Sequence, residues 1–228
     1  MSGHPLDRVV LSALTSSRQS HLAIREGAAV RMAAGYGVFV ALDDADAGLG
    51  DVARLPMPEG RLVTIEAQDQ PVPTGFSIDK SAVLLQMTLT SLKAGKSHQI
   101  HVEKLGDEDA AQMLALALLT EPGPFFENTH QLGDFYGVKQ GGKLLAMAGE
   151  RMKPDGFTEV SGVCVHPQAQ GRGLAAMVMQ SVIAPILERG DTAFLHSYDH
   201  NTRANTLYDG LGFSVRRPMN MRSLVAAF

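Results

Sequence analysis

Residues 163–175 read VCVHPQAQGRGLA, the end of a β-strand, a turn and the opening of a helix. Val163 and Val165 alternate with Cys164 as a strand does. His166-Pro167 breaks the strand, because a proline has no N–H for a ladder. Gly171 and Gly173 let the backbone curl so that successive N–H groups converge. From 174 to 189 the chain is apolar nearly all round, which predicts a largely buried helix that Gly190 ends. Converging amides at a helix N-terminus suit a phosphate or pyrophosphate. Taken alone, the same segment reads equally well as a tight turn with no ligand.

Two phosphate motifs compete for it. A P-loop needs Gly-Lys-Ser/Thr, and Gly173 is followed by Leu174. Residues 171–176 fit Gly-x-Gly-x-x-Ala, the dinucleotide fingerprint. That motif follows its strand directly and has an acid about 20 residues on. Here residues 166–170 intervene, and Asp191 precedes the next strand, so the dinucleotide reading is the lesser one.

A second stretch, NTRANTLYDGLGF (201–213), decides between them. On a helix, Asn201, Asn205 and Tyr208 fall on one face at i, i+4 and i+7. Ala204, Leu207 and Leu211 make a separate apolar stripe. Gly212 ends the helix and Phe213 enters another strand. Around these segments, 134–140 and 143–151 read as strands joined by Gly141-Gly142, a hairpin signal. Asp155-Gly156 turns into a strand over 157–165, and 192–198 is a further strand. Asp107 precedes a helix running to Thr120, stopped by Pro122, Gly123 and Pro124.

Together these residues resemble the GNAT superfamily of acyl-CoA-dependent N-acyltransferases. The resemblance rests on Val163-x-Val165 before the turn, on Gln168-x-x-Gly171-x-Gly173 opening a helix, and on Asn201-x-x-Ala204-x-x-Leu207-Tyr208 with Gly212-Phe213. The segments PGPF (122–125), AMAGERM (146–152) and TEVSGVCVHP (158–167) look like a bacterial branch that carries an extra N-terminal α/β half. The resemblance covers residues 98–228 well and the first half loosely. It implies an α/β fold: a mixed, mostly antiparallel, splayed sheet flanked by helices. It also implies a catalytic domain over 98–228, behind an N-terminal α/β half over 1–97, a degenerate partner of the same kind.

The implied activity is transfer of an acetyl group from acetyl-CoA to an amine, by direct attack in a ternary complex, the acceptor being a small-molecule amine or a protein N-terminal or lysine amine. The implied cofactor contacts are Val163, Cys164, Val165, Gln168, Ala169, Gln170, Gly171, Arg172, Gly173, Leu174 and Ala175, with Asn201, Asn205 and Tyr208. Tyr208 is the implied acid for the departing thiolate, and a phenol with a pKa of about 10 is protonated at neutral pH. The loop after the first core helix, with Phe125, Phe126, Asn128, Thr129 and His130, is the expected acceptor side. The readings to set against this are a non-catalytic acyl-CoA-binding regulatory module and a dinucleotide oxidoreductase.

An ammonium cannot attack a thioester, so a base is needed. Glu159 lies about 20 Å before Val165 at roughly 3.3 Å per residue. That is comparable to an extended pantetheine arm. By period two, Glu159, Ser161, Val163 and Val165 are expected on one face and Cys164 on the other. Glu159 or a bound water is the expected base, with Glu150 the weaker alternative. An ion-paired structural Glu159 is an equally open reading.

Composition excludes other classes. With 45% hydrophobic and 19% charged residues among 228, the chain is a folded one and not a disordered one. A net charge of −4 gives no footprint for nucleic acid. The single cysteine, Cys164, cannot make an intrachain disulfide. No run reaches about 18 uncharged apolar residues, and MSGHPLDRVV lacks a signal peptide's cationic start, so a cytoplasmic protein without a membrane partner is expected. No metal is expected: His98 and His101 are three apart on a predicted strand and face opposite ways. A monomer or a homodimer both fit. In the first half, 5–15 reads as a helix, 37–42 and 61–66 as strands, 67–80 as a loop and 81–89 as a buried strand.

Overall fold

The computed structural model describes residues 3–43, 48–93 and 100–227. The chain opens on a 3-10 turn, Pro5–Arg8, and helix α1, Val9–Thr15. His4 caps the turn, its Nδ1 accepting from the Leu6 N–H at 3.1 Å. Strands β1 (Ala23–Glu26), β2 (Ala29–Met32) and β3 (Val40–Leu42) form a small antiparallel sheet. The sequence reading misses β1 and β2, because Arg25 and Arg31 interrupt the apolar alternation. Arg31 is nevertheless fully buried; Glu59 meets its guanidinium at 3.1 Å.

The large sheet uses β4 (Leu62–Glu66), β5 (Phe76–Leu89), β6 (Glu103–Leu105), β7 (Phe135–Gln140), β8 (Lys143–Glu150), β9 (Phe157–Val165), β10 (Thr192–Tyr198) and β11 (Ser214–Ala226). Their spatial order is β4-β11-β5-β10-β9-β8-β7-β6. Every neighbouring pair is antiparallel except β9 with β10. The fold is therefore the expected mixed, mostly antiparallel one, with an additional three-stranded N-terminal sheet. The expected boundary at residues 97 and 98, and with it His98, lies outside the described residues. Strands β4 and β5, from the first half, lie in the same sheet as the second half. Residues 76–80, expected as loop, extend β5 because the long β11 pairs along its whole length, from Phe76↔Ala226 to Thr88↔Ser214.

Helices α2 (Ala110–Thr120), α3 (Leu174–Glu188) and α4 (Thr202–Leu211) complete the architecture. Leu174, Val178, Val182 and Ile186 of α3 bury against Met87, Val160, Ala193 and Leu195 on one sheet face. Each fully buried side chain of this size contributes roughly 1.5–3 kcal/mol. Pro185 removes one helical N–H, yet α3 continues to Glu188. On the opposite face Leu6, Val10 and Leu14 pack on Leu84, Phe194, Met219 and Met221. Polar bonds also fasten the N-terminal segment there. Arg18 reaches Asp191 at 2.7 Å, and the Gln19 amide donates to the Arg151 carbonyl at 2.6 Å. No helix among the described residues is long and apolar enough to cross a membrane.

Two irregularities shape the cleft. Strands β9 and β10 pair only from Phe157↔Thr192 to Glu159↔Phe194, then part. Strand β9 also carries a bulge. Between the pairs Gly149↔Ser161 and Met147↔Cys164, β8 has one residue and β9 has two. Gly162 takes the strain with φ +63°, open to glycine at no steric cost. The bulge resets the alternation. Val163 and Val165 join Val160 on the α3 face, while Cys164 lies against α2 with Met113 and Phe135. The expectation that Glu159, Val163 and Val165 share a face is corrected by this one inserted residue.

Candidate active site

A cleft of about 1660 Å3 opens where β9 and β10 part. One end is built from backbone. Gly171 has φ +78° and Gly173 φ +76°, and Gly173 is the N-cap of α3 with no side-chain cap. Among the described residues, the N–H groups of residues 171–176 meet no protein acceptor. Unsatisfied donors at a helix start carry a partial positive charge that favours an anion. A Cβ at Gly171 would meet nothing within 4 Å, so the turn is open on that side. The part of β9 beyond Glu159 likewise has no strand on its β10 side. A phosphate and an extended amide-bearing arm both fit this wall.

Of the residues singled out from sequence, Val163, Cys164, Val165, Ala169, Gln170, Gly171, Gly173, Leu174 and Ala175 line this cleft, as do Asn201, Tyr208, Phe125 and Phe126. Burial pushes the Cys164 thiol up to about 12, which leaves it unreactive. Asn201 caps α4, its side-chain oxygen accepting from the Ala204 N–H at 3.3 Å. Tyr208 is half-buried, and desolvation raises its phenol to about 12.

Other expected residues lie outside the lining. The Asn205 amide turns back and donates to the Tyr198 and Asp199 carbonyls, each at 3.2 Å, so it braces the β10–α4 loop. Gln168 and Arg172 are exposed, and Arg172 reaches Gln140 at 3.2 Å. Thr129 ties its loop to the N-terminal half, donating to the Tyr36 carbonyl at 3.0 Å, and the Asn128 N–H donates to the Gly35 carbonyl at 2.9 Å. His130 Nε2 is 3.0 Å from Asp107.

Glu159 sits below the point where the strands part, and it is fully buried. Arg151 binds it through two bonds, Nε to Oε2 and Nη2 to Oε1, both 2.8 Å. His196 Nδ1 meets Oε1 at 2.8 Å. Although burial raises its pKa, the Arg151 guanidinium and the His196 hydrogen bond overcome that and hold the carboxyl at about 2. Such a carboxylate has little affinity for a proton. Glu150 is no freer: Lys153 at 2.7 Å and Arg189 at 2.5 Å occupy its two oxygens. Arg151 does reach the cleft wall, where its guanidinium lies 4.7 Å from the Phe39 ring centroid.

Sequence reasoning missed the other wall. Phe39, Glu59, Arg61, Val63, Ile65, Lys80, Leu84, Met221 and Ser223 all line the same cleft. They come from segments far apart in the chain. The one available signal was the period-two row Met219, Met221 and Ser223 in β11. No group of three or more metal-binding side chains occurs among the described residues, and His101 is exposed.

Comparison with solved structures finds a protein of the GNAT acetyltransferase family from Novosphingobium aromaticivorans. It is 39% identical, with a TM-score of 0.92 over 99% of this chain and 100% of that one. The chain belongs to the GNAT family. A family model described as FR47-like protein matches residues 135–222, the part from β7 into β11 that carries the turn and α4. An N-acetyltransferase of the same family from Kribbella flavida shares the fold at 16% identity, with a TM-score of 0.62 over 96% of each chain. No curated protein matches the chain. The GNAT assignment agrees with the cleft, which the parted strand β9, the glycine turn and Tyr208 of α4 all line.

Proposed function

We propose that this GNAT protein transfers an acetyl group from acetyl-CoA to an amine by direct attack in a ternary complex. The observation that carries this is the run of N–H groups over residues 171–176 that have no partner among the described residues, beside the cleft that Tyr208 lines. Acetyl-CoA supplies an activated acetyl thioester when bound. The backbone of residues 171–176 receives its phosphates, the free edge of β9 at Val163 and Val165 receives its arm, and Asn201 borders that arm. Tyr208 stays protonated across the neutral range, so its hydroxyl donates a hydrogen bond toward a thiolate.

Glu159 serves this chemistry without taking the proton itself. Its charge fixes Arg151 and orients His196 Nδ1–H, and a cleft water accepts the proton from the amine. The test is thiol release from acetyl-CoA over pools of amines, with NAD as the control ligand in melting experiments. Acetyl-CoA should raise Tm, by about 2.7 kcal/mol of stabilisation at a hundred times its Kd, and NAD should not. Binding of acetyl-CoA without thiol release for any amine would favour a regulatory module. Stabilisation by NAD alone would overturn the acyl-CoA reading.

A further inference from the structure

The cleft extends beyond the parted strands onto the face of β4, β11, β5 and β10. Cross-strand register sets what lies there. Val63 pairs with Ser223 and Ser223 with Lys80; Ile65 pairs with Met221 and Met221 with Ala82; Leu84 pairs with Tyr198. Directly opposed residues of an antiparallel ladder point to the same side, so these side chains form one floor. Its centre is apolar, and Phe39 closes it from the N-terminal half.

The nearby buried charges are already matched. Arg31 is paired with Glu59 and Arg151 with Glu159, so the interior offers no free charge to a ligand. Lys80 stands at the rim, with Nζ 3.3 Å from the Tyr198 hydroxyl. One polar atom in the floor is left over. Ser223 is 7% exposed, and its Oγ is buried with no hydrogen-bond partner among the described residues. A buried hydroxyl is rarely left unpaired without a reason. Neither a phosphate nor an extended amide arm has use for an apolar floor with one hydroxyl in it.

We propose that this region is the acceptor pocket. It takes a small primary amine on an aromatic or branched apolar body, with one neutral hydrogen-bonding group that meets Ser223. The proposal rests on the acetyl-transfer reading above. The floor's own side chains carry no carboxylate, and Asp79, Glu121 and Glu127, which also line the cleft, are exposed, so an apolar amine suits the floor better than a polycation. A peptide N-terminus would need partners for its backbone amides, and the apolar floor supplies only the Ser223 hydroxyl.

The experiment measures thiol release from acetyl-CoA by the full chain with tyramine, phenethylamine, ethylamine and spermidine, alongside the melting shift with acetyl-CoA alone. The two aryl amines should exceed ethylamine and spermidine in kcat/KM by about tenfold or more, as apolar pockets discriminate by size. Ser223→Ala should lower kcat/KM for tyramine by about three- to tenfold and leave phenethylamine unchanged. Equal use of ethylamine, preference for spermidine, or an equal loss for both aryl amines in Ser223→Ala overturns the proposal. A melting shift with acetyl-CoA but no thiol release with any of the four overturns the acceptor assignment while leaving the cofactor end standing. No melting shift at all overturns the reading beneath it.

Discussion

The two ends of the cleft are built from different material. At the turn, the groups proposed to bind the cofactor are main-chain N–H donors of residues 171–176, and the side chains mainly shape the backbone that presents them. At the far end, the proposed acceptor surface is a set of side chains from β4, β5 and β11, brought together by register. A backbone site demands glycine at fixed spacing and tolerates much else. A side-chain site can change its ligand through one substitution while the fold stays as it is. That division suits a fold whose cofactor is constant and whose acceptor varies.

Glu159 lies between the two ends, and replacing it should have the largest effect. Glu159→Gln leaves Arg151 and His196 facing a neutral amide in a closed site. Removing one partner of a buried ion pair typically costs about 3–5 kcal/mol, so the melting transition should fall sharply. The pH dependence should change with it. The folded pKa of about 2 lies below the ordinary 4.5, so the wild-type protein has this stabilisation above about pH 4.5 and loses it as pH falls toward 2. Denaturant melts across that window should show the acid limb in the wild type and a flatter one in the variant. A variant of unchanged stability whose turnover drops by about a hundredfold would make Glu159 the base after all.

The cofactor end is broken next by Gly171→Val. A φ of +78° strains any β-branched residue, so the variant is expected to distort the turn that presents the amides. The fold itself loses some stability, so the reading is the difference made by acetyl-CoA. That difference, about 2.7 kcal/mol at a hundred times Kd in the wild type, should vanish. A ligand-induced shift that survives would remove the backbone from cofactor binding.

The same contrast explains what was legible in the sequence. Glycine spacing and an apolar helix are local, so residues 163–175 by themselves mark both the turn and the start of α3. Helix α4 was legible from Gly212 and its apolar stripe. The bulge at Gly162 was not, because an inserted residue leaves no mark in an alternation already broken by glycine, and it moved Val163 and Val165 to the opposite face from Glu159. The burial of Glu159 depends on Arg151 and His196, which approach from two other elements. Buried Arg31 hid β2, since its partner Glu59 is reached only in three dimensions. The apolar floor was the least legible of all: Val63, Leu84 and Met221 look like ordinary core residues until the strand order is known.

Tyr208→Phe tests a moderate effect at the border of the cofactor end. The phenol at about 12 is a weaker acid than a thiol at about 8.5, so full proton transfer to a thiolate runs uphill. Its contribution is then a hydrogen bond to developing charge. Turnover should fall by about ten- to a hundredfold, at the low end for acid–base groups, with acetyl-CoA affinity kept. Rate measurements with a saturating amine separate the two quantities. Full activity in the variant would reduce Tyr208 to packing against Phe213, its T-shaped neighbour at 6.2 Å.

The smallest effect is expected at Arg172, and it bears most directly on the contrast between the two ends. Arg172 stands between Gly171 and Gly173 and is the only cation within residues 163–175. Proximity to a phosphate site makes it an obvious candidate for an ion pair. Its guanidinium instead lies on the surface and bonds Gln140, while the glycines on either side of it line the cleft. An exposed charge pairs weakly in water and is screened by salt over about 10 Å at 0.1 M. Arg172→Ala should therefore weaken acetyl-CoA binding by about threefold or less, and the loss should shrink further as ionic strength rises. Calorimetric titrations at low and high salt measure both. A loss beyond about tenfold that persists in high salt would show a desolvated guanidinium–phosphate pair. The turn would then bind through a side chain as well as its backbone, and the two ends of the cleft would be less different than their construction implies.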